Sequence, residues 1–353
     1  MKAVCFSSVE QVDYQDLPDP IIQADHDAVV EITSAGICGS DLHPYFGRET
    51  GIDRGTVLGH EFVGYVKAVG STVKNLNIGD RVCAPFTTNC GYCHFCNIGL
   101  TARCTSGQLF GWRENGSGLH GGQATQVRVP FADTTLYPLQ ENISDEAAIL
   151  LGDNLSTAFY ATELASVDQL VSNDEESCVA VIGCGTVGLL AIQWAKAKGI
   201  KTVLAVEPNR HRRELAETLG AITCANSASI QARATEVTSG LGVAAVMEFV
   251  GLPDAQRTAF EIIRPGGTLA TIGCHCTPQF AFSPSQAYEK NLCYRSGRCS
   301  ARHYMKTVQT LTDQHQLDLS WCVTHHFNFD QARLGYDTFA NRREECVKAV
   351  FQA

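Results

Sequence analysis

Between Val181 and Gly188 the chain reads Val-Ile-Gly183-Cys-Gly185-Thr186-Val187-Gly188, a G-x-G-x-x-G set. It lies between an apolar run, Cys178 to Ile182, and a stretch of helical composition, Leu189 to Lys198. A strand that ends in a tight turn and feeds straight into a helix belongs to a parallel sheet with helices on its faces. In that setting the first glycine permits the turn and the second lets backbone approach a pyrophosphate. The third lets the helix pack closely on the strand. The helix N-terminus then presents free N–H groups and a partial positive charge to phosphates. Glycines that merely turn the chain are the competing reading, and the flanking strand and helix tell against it.

The same alternation continues through Lys201 to Val206, Val243 to Val250 and Thr268 to Ile272. The expected class is therefore α/β, with a doubly wound parallel-sheet domain over residues 154–295. Glu207 ends the strand that follows the turn, about 20 residues beyond the glycines, where a carboxylate accepts hydrogen bonds from an adenosine ribose and repels a 2'-phosphate. This favours NAD over NADP. Arg210, Arg212 and Arg213 follow closely and would suit a phosphate, although a charged helix face is their more ordinary explanation. Before this domain, short runs such as Ala28 to Thr33, Gly64 to Val69 and Arg81 to Cys83 are separated by Gly, Asn and Asp turns, so residues 1–153 read as a β-rich domain. After about residue 295 the alternation fades, and a helical stretch near Gln331 to Asn341 fits either domain.

At 353 residues the chain has the length of two domains, each with its own core. No apolar run approaches the roughly 18 residues that cross a bilayer, and the start, MKAVCFSSVEQVDYQD, reads as a first strand rather than a signal peptide. A formal charge of -10 opposes a nucleic-acid partner. Sixteen cysteines in a large chain without an export signal point to the cytoplasm, where cysteines are thiols or metal ligands.

Cys90, Cys93, Cys96 and Cys104 form C-x2-C-x2-C-x7-C in a stretch rich in Gly and Asn. Four thiolates close a tetrahedral zinc site and leave no position for substrate, so this zinc is expected to be structural, with His94 a bystander. Cys274, His275 and Cys276 do not invite the same reading, because C-x-C is too short to complete a site alone. Gly36-Ile-Cys38-Gly-Ser40-Asp-Leu-His43 and Gly59-His60-Glu61 are less conspicuous taken singly.

Taken in order with the four-cysteine lobe and the later glycine motif, these segments resemble the zinc-containing medium-chain dehydrogenase/reductase family, and the resemblance covers essentially the whole chain. It implies a GroES-like catalytic domain carrying both zinc sites, a Rossmann cofactor domain, and a C-terminal segment, 296–353, that returns to the catalytic domain. In that family the cysteine of the first segment and the histidine of G-H-E bind catalytic zinc, which carries over to Cys38 and His60. The third ligand precedes the cofactor domain and differs among members. Here Asp153 stands at that point, similar to secondary alcohol and formaldehyde dehydrogenases. Its rival role is a helix cap, since a helix is expected from there through Thr157 to Leu164. An aspartate keeps one negative charge and supplies a harder ligand than cysteine, so the zinc stays Lewis acidic. Glu61 is either a transient ligand or a carboxylate behind the ligands.

The resemblance further implies a proton relay through Ser40, the cofactor ribose and His43. It also implies cofactor contacts at Val250, Gly251, Ile272 and Gly273, beside those at Gly183, Gly185, Thr186, Val187, Gly188, Glu207 and Arg212. A substrate pocket is expected near Phe46, Phe110, Trp112 and Leu119, with Pro44 and Tyr45 close by. The implied activity is reversible oxidation of a primary or secondary alcohol, or a polyol, by NAD in a homodimer or homotetramer. Threonine, polyol and glutathione-independent formaldehyde dehydrogenases are the enzymatic alternatives. A non-catalytic zinc or nucleotide-binding protein is the alternative of another class, since fold does not determine function.

Overall fold

In the computed structural model, which describes residues 1–173, 177–341 and 345–353, the strand Cys178–Ile182 runs into the helix Thr186–Ala197 through the glycine turn. Gly183 holds φ at +88°, a left-handed conformation that a side chain would strain. A Cβ on Gly188 would fall 1.9 Å from the Gly183 carbonyl oxygen, so the third glycine sets how closely helix and strand approach. The six-stranded sheet has the order Ile222–Cys224, Thr202–Val206, Cys178–Ile182, Val243–Glu248, Ile263–Thr271, Cys293–Ser296, and every pairing is parallel. This is the 3-2-1-4-5-6 order of dinucleotide-binding folds. Its central strands are buried along their whole length, as strands with both faces covered must be.

This sheet lies in a compact unit formed by Thr157–Cys299 and Thr312–Leu317. The other unit gathers Met1–Ser156, Ser300–Leu311 and Asp318–Ala353. Its seven-stranded sheet runs His325–Asn328, Ala349–Gln352, Ala28–Ile37, Phe62–Val69, Arg81–Cys83, Tyr137–Pro138, with Gln126–Val129 also on Ala28–Ile37. The last strand of the chain thus pairs with the strand that leads to Cys38. Val30, Ile32, Phe62, Val82, Phe110, Tyr336 and Phe351 share its core. Among the described residues no helix is long and apolar enough to cross a membrane.

The hairpin Trp112–Glu114 and Ser117–Leu119 is anchored through His120, whose Nδ1 accepts the Val57 N–H at 3.0 Å and whose Nε2 lies 3.1 Å from Arg113. Burial, followed by the charges of Arg113 and Arg128, pushes the imidazole down from 6.5 to about 4. The ring is neutral in the fold and titrates near 6.5 once unfolded, so between those values the unfolded chain binds more protons. Stability therefore falls as pH falls through that window. His120→Asn keeps an acceptor for Val57 and cannot ionise. Its melting temperature is expected to drop less than that of the parent between about pH 7 and about pH 5. Equal drops in scanning calorimetry would show that His120 does not carry this dependence.

Candidate metal and cofactor sites

The strand Ala28–Ile37 delivers Cys38 to the start of a 3-10 turn, Gly39–Asp41. Asp41 caps that turn by accepting the Cys38 N–H at 2.8 Å. The helix Asp145–Gly152 begins at Ser144, whose hydroxyl accepts the Ala147 N–H, and its Asp145 is tied to Thr33, Ser34 and Arg81. That anchorage brings the residue after the helix, Asp153, to Cys38. Asp153 Oδ2 lies 3.4 Å from Cys38 Sγ and 3.4 Å from His60 Nε2. Ser40 Oγ lies 3.3 Å from the same His60 nitrogen. One ligand atom from each of Cys38, His60, Glu61 and Asp153 falls within 4.8 Å of the others.

The cluster is crowded with acidic groups. Burial, then the charges of Asp153 and Glu61, push the Cys38 thiol up to about 11. Burial likewise raises Glu61, against the opposing pull of Lys348. A divalent cation would turn this mutual repulsion into attraction, and a sulfur, an imidazole nitrogen and a carboxylate oxygen suit zinc. Glu61 has both oxygens engaged, Oε1 by the Asn154 amide at 2.8 Å and Oε2 by buried Lys348. Loss of Lys348 would leave a buried uncompensated charge, at a cost of about 3–5 kcal/mol. His60 presents Nε2 to the cluster because its Nδ1 is held 3.2 Å from Asp41 Oδ1. A carboxylate behind a ligating histidine fixes its tautomer and orientation. Sequence reasoning missed Asp41, Asn154 and Lys348. The turn-capping position of Asp41 was a usable signal; Lys348, in an apolar C-terminal run, had none.

The sulfurs of Cys90, Cys93, Cys96 and Cys104 also lie within 4.8 Å of one another, in a lobe outside the sheet. Backbone N–H groups of Cys96 and Thr105 pull Cys93 down to about 5, whereas burial pushes Cys96 up to about 12 and raises Cys104, so one thiolate is favoured and a cation would be needed to hold the others ionised. His94 is exposed and outside the cluster.

In the parallel-sheet unit, buried Glu207 accepts the Cys184 N–H and the Asn209 N–H, both at 2.9 Å, and so stands against the glycine turn. Arg210 pairs with exposed Glu214, and Arg213 binds the carbonyls of Glu207 and Pro208. Arg212 is buried, its guanidinium 3.8 Å from where a Cβ on Gly185 would be. Thr186 and Val187 open the helix. Val250 and Gly251 donate their N–H groups to buried Glu248, while Ile272 and Gly273 donate theirs to its backbone carbonyl. His275 Nε2 lies 2.8 Å from Glu248 Oε2, between exposed Cys274 and Cys276.

The residues expected around a substrate divide. Phe110 and Leu119 are 1% and 3% exposed and packed in the sheet core, so they offer no accessible wall. Phe110 is edge-on to Phe62. Phe46 and Trp112 keep partly exposed surface. Tyr45 and Pro44 are buried. His43 follows Ser40 in the short helix Leu42–Tyr45, and burial lowers its pKa from the ordinary histidine value.

A family model described as alcohol dehydrogenase GroES-like domain matches residues 24–141, and one described as zinc-binding dehydrogenase matches residues 186–314. Zinc-type alcohol dehydrogenase B of Aspergillus flavus is 36% identical over 356 residues, covering 100% of this chain and 81% of the relative. The NADP-dependent isopropanol dehydrogenase of Thermoanaerobacter brockii is 29% identical, with 99% of each chain covered. Among solved structures, alcohol dehydrogenase TADH from Thermus sp. ATN1 has a TM-score of 0.92 at 35% identity, covering 100% of both chains. The chain belongs to the zinc-dependent alcohol dehydrogenases of the medium-chain dehydrogenase/reductase family, and is an oxidoreductase of that class.

Proposed function

We propose that this chain catalyses the reversible oxidation of a primary alcohol, secondary alcohol or polyol by NAD, with zinc held at two sites. The observation that carries the reading is the convergence of Cys38 Sγ, His60 Nε2 and Asp153 Oδ2 from three distant segments. Zinc bound there would supply Lewis acidity that eases loss of the alcohol proton, and NAD would accept the hydride. The chain's own residues do the rest. Asp41 keeps His60 in the ligating tautomer, and Ser40, at 3.3 Å from His60 Nε2, relays the hydroxyl proton, accepting it at Oγ as its own proton passes by way of the cofactor ribose to His43. His43, whose imidazole burial keeps in the unprotonated form, hands it on to solvent. Glu61, held by Asn154 and Lys348, serves behind the ligands. Cys90, Cys93, Cys96 and Cys104 hold the second, structural zinc.

Elemental analysis is expected to find two zinc ions per chain. Asp153→Asn should hold the zinc at Cys38 weakly and reduce kcat by at least the roughly 10–100-fold that loss of a partner behind a ligand already costs. Cys96→Ala should lose the other zinc and lower the melting temperature, because a closed zinc site contributes folding energy. Full zinc and near-parental kcat in Asp153→Asn would remove Asp153 from the ligand set.

NAD preference rests on the Glu207 carboxylate beside the glycine turn, with the Arg212 guanidinium as its rival. The Thermoanaerobacter relative is named for NADP, so the choice is made by local residues rather than by the family. The parent should show the higher kcat/KM with NAD, and Glu207→Ala should narrow the gap by weakening NAD. A parent that favours NADP would overturn this assignment.

A homo-oligomer is supported by the edge strand Cys293–Ser296, which pairs on one side only within the sheet. Near it Phe280 and Tyr288 are 59% and 84% exposed. Such an edge invites a partner strand. Sedimentation at micromolar concentration should give a dimer or tetramer, and a lone monomer would contradict it. A cytoplasmic setting is supported by cysteines that gather in zinc-ligand sets or stand outside disulfides among the described residues.

A further inference from the structure

Gln123 is fully buried, and its contacts lead into the metal cluster. Backbone bonds from Gly121, Gly122 and Gln123 to the carbonyls of Val57, Gly59 and Leu58 lay this segment beside His60. Gly59 holds φ at +83°, and a Cβ there would fall 2.3 Å from Gln123 Cγ, so the residue before His60 is glycine to admit the glutamine. Gln123 Nε2 donates to the Gly36 carbonyl at 3.0 Å and to Asp41 Oδ2 at 3.4 Å. With two acceptors facing the amide nitrogen, Oε1 points the other way. There it accepts the hydroxyl of Tyr336 at 2.8 Å, itself fully buried on the helix Ala332–Asn341. The chain of contacts therefore runs Tyr336, Gln123, Asp41, His60. An apolar pair would fill the same volume without the desolvation cost of an amide and a phenol. Their polarity calls for a role that packing alone does not supply.

We propose that Gln123 and Tyr336 are positioning residues of the metal site: the phenol holds the amide oxygen in place, and the amide nitrogen holds the Asp41 carboxylate that orients His60. This rests on the zinc reading of the Cys38, His60 and Asp153 cluster. Removing the phenol hydroxyl leaves the buried Oε1 without its donor, so the amide is held from one end only and its grip on Asp41, and through it on His60, slackens. Tyr336→Phe preserves volume, and Gln123→Met removes the amide while keeping length.

Both variants are tested as zinc-loaded full chains by timing zinc transfer to a chelator, and after cobalt replacement by the visible spectrum. Removal of a partner behind a metal ligand typically costs about 10–100-fold in metal affinity. Gln123→Met should therefore release the zinc at Cys38 about 10-fold faster or more. Tyr336→Phe, one bond further out, should release it a few-fold faster, roughly 3-fold or more. Both should shift the cobalt bands while the zinc in the four-cysteine lobe leaves at the parental rate. Folded variants with parental release and an unchanged cobalt spectrum would overturn the proposal. If one variant fails to fold, the other decides; if both fail, the pair is a folding element and the proposal falls. If the parent itself holds no zinc that Asp153→Asn removes, the functional reading fails instead.

Discussion

Burying Asp41, Glu61 and Asp153 beside Cys38 dictates much of how the first unit is assembled. A buried carboxylate without partners costs several kcal/mol, so each must be met by a donor or a positive charge. The donors come from far apart in the chain: the backbone N–H of Cys38, His60 after a glycine turn, Gln123 from the segment after the hairpin, Asn154 at a helix start, Lys348 from just before the last strand. A cation at Cys38, His60 and Asp153, as proposed above, would complete the balance and link metal binding to the closing of this corner. The C-terminal residues are structural partners of the site as well as the edge of its sheet.

Glycine makes the close approaches that this balance needs. A Cβ on Gly36 would fall 2.0 Å from Glu61 Oε2, so the residue that makes room for the carboxylate lies two positions before Cys38. Gly59 does the same for Gln123. In the parallel-sheet unit Gly188 lets a helix start almost on top of the strand end, where backbone N–H groups gather. In all three places the missing side chain is what allows a charged or polar group to sit against backbone.

The two clusters differ in what their geometry permits. Four sulfurs from one short lobe can surround an ion completely, which favours stability over reactivity. The Cys38 cluster combines a thiol, an imidazole and a carboxylate, with Glu61 turned toward Asn154 and Lys348. A three-ligand set of this kind leaves room for a substrate oxygen.

A few neighbouring residues encode their own part of this fold. The glycine turn between strand and helix, the parallel alternation after it and the four-cysteine spacing were all legible, because backbone conformation and ligand spacing there depend on local chain alone. The meeting of Cys38, His60 and Asp153 was expected only through family resemblance, since no spacing announces side chains that converge from more than a hundred residues apart. Tertiary structure alone decided the rest. Asp41 looked like a turn cap, and Asn154 and Lys348 looked like ordinary polar residues. Gln123 and Tyr336 carried no signal, and Phe110 and Leu119 had the composition of a pocket yet went into the core. The physical reason is that burial and charge pairing depend on which distant segments the fold brings together, and a partner's identity is not written beside the residue that needs it.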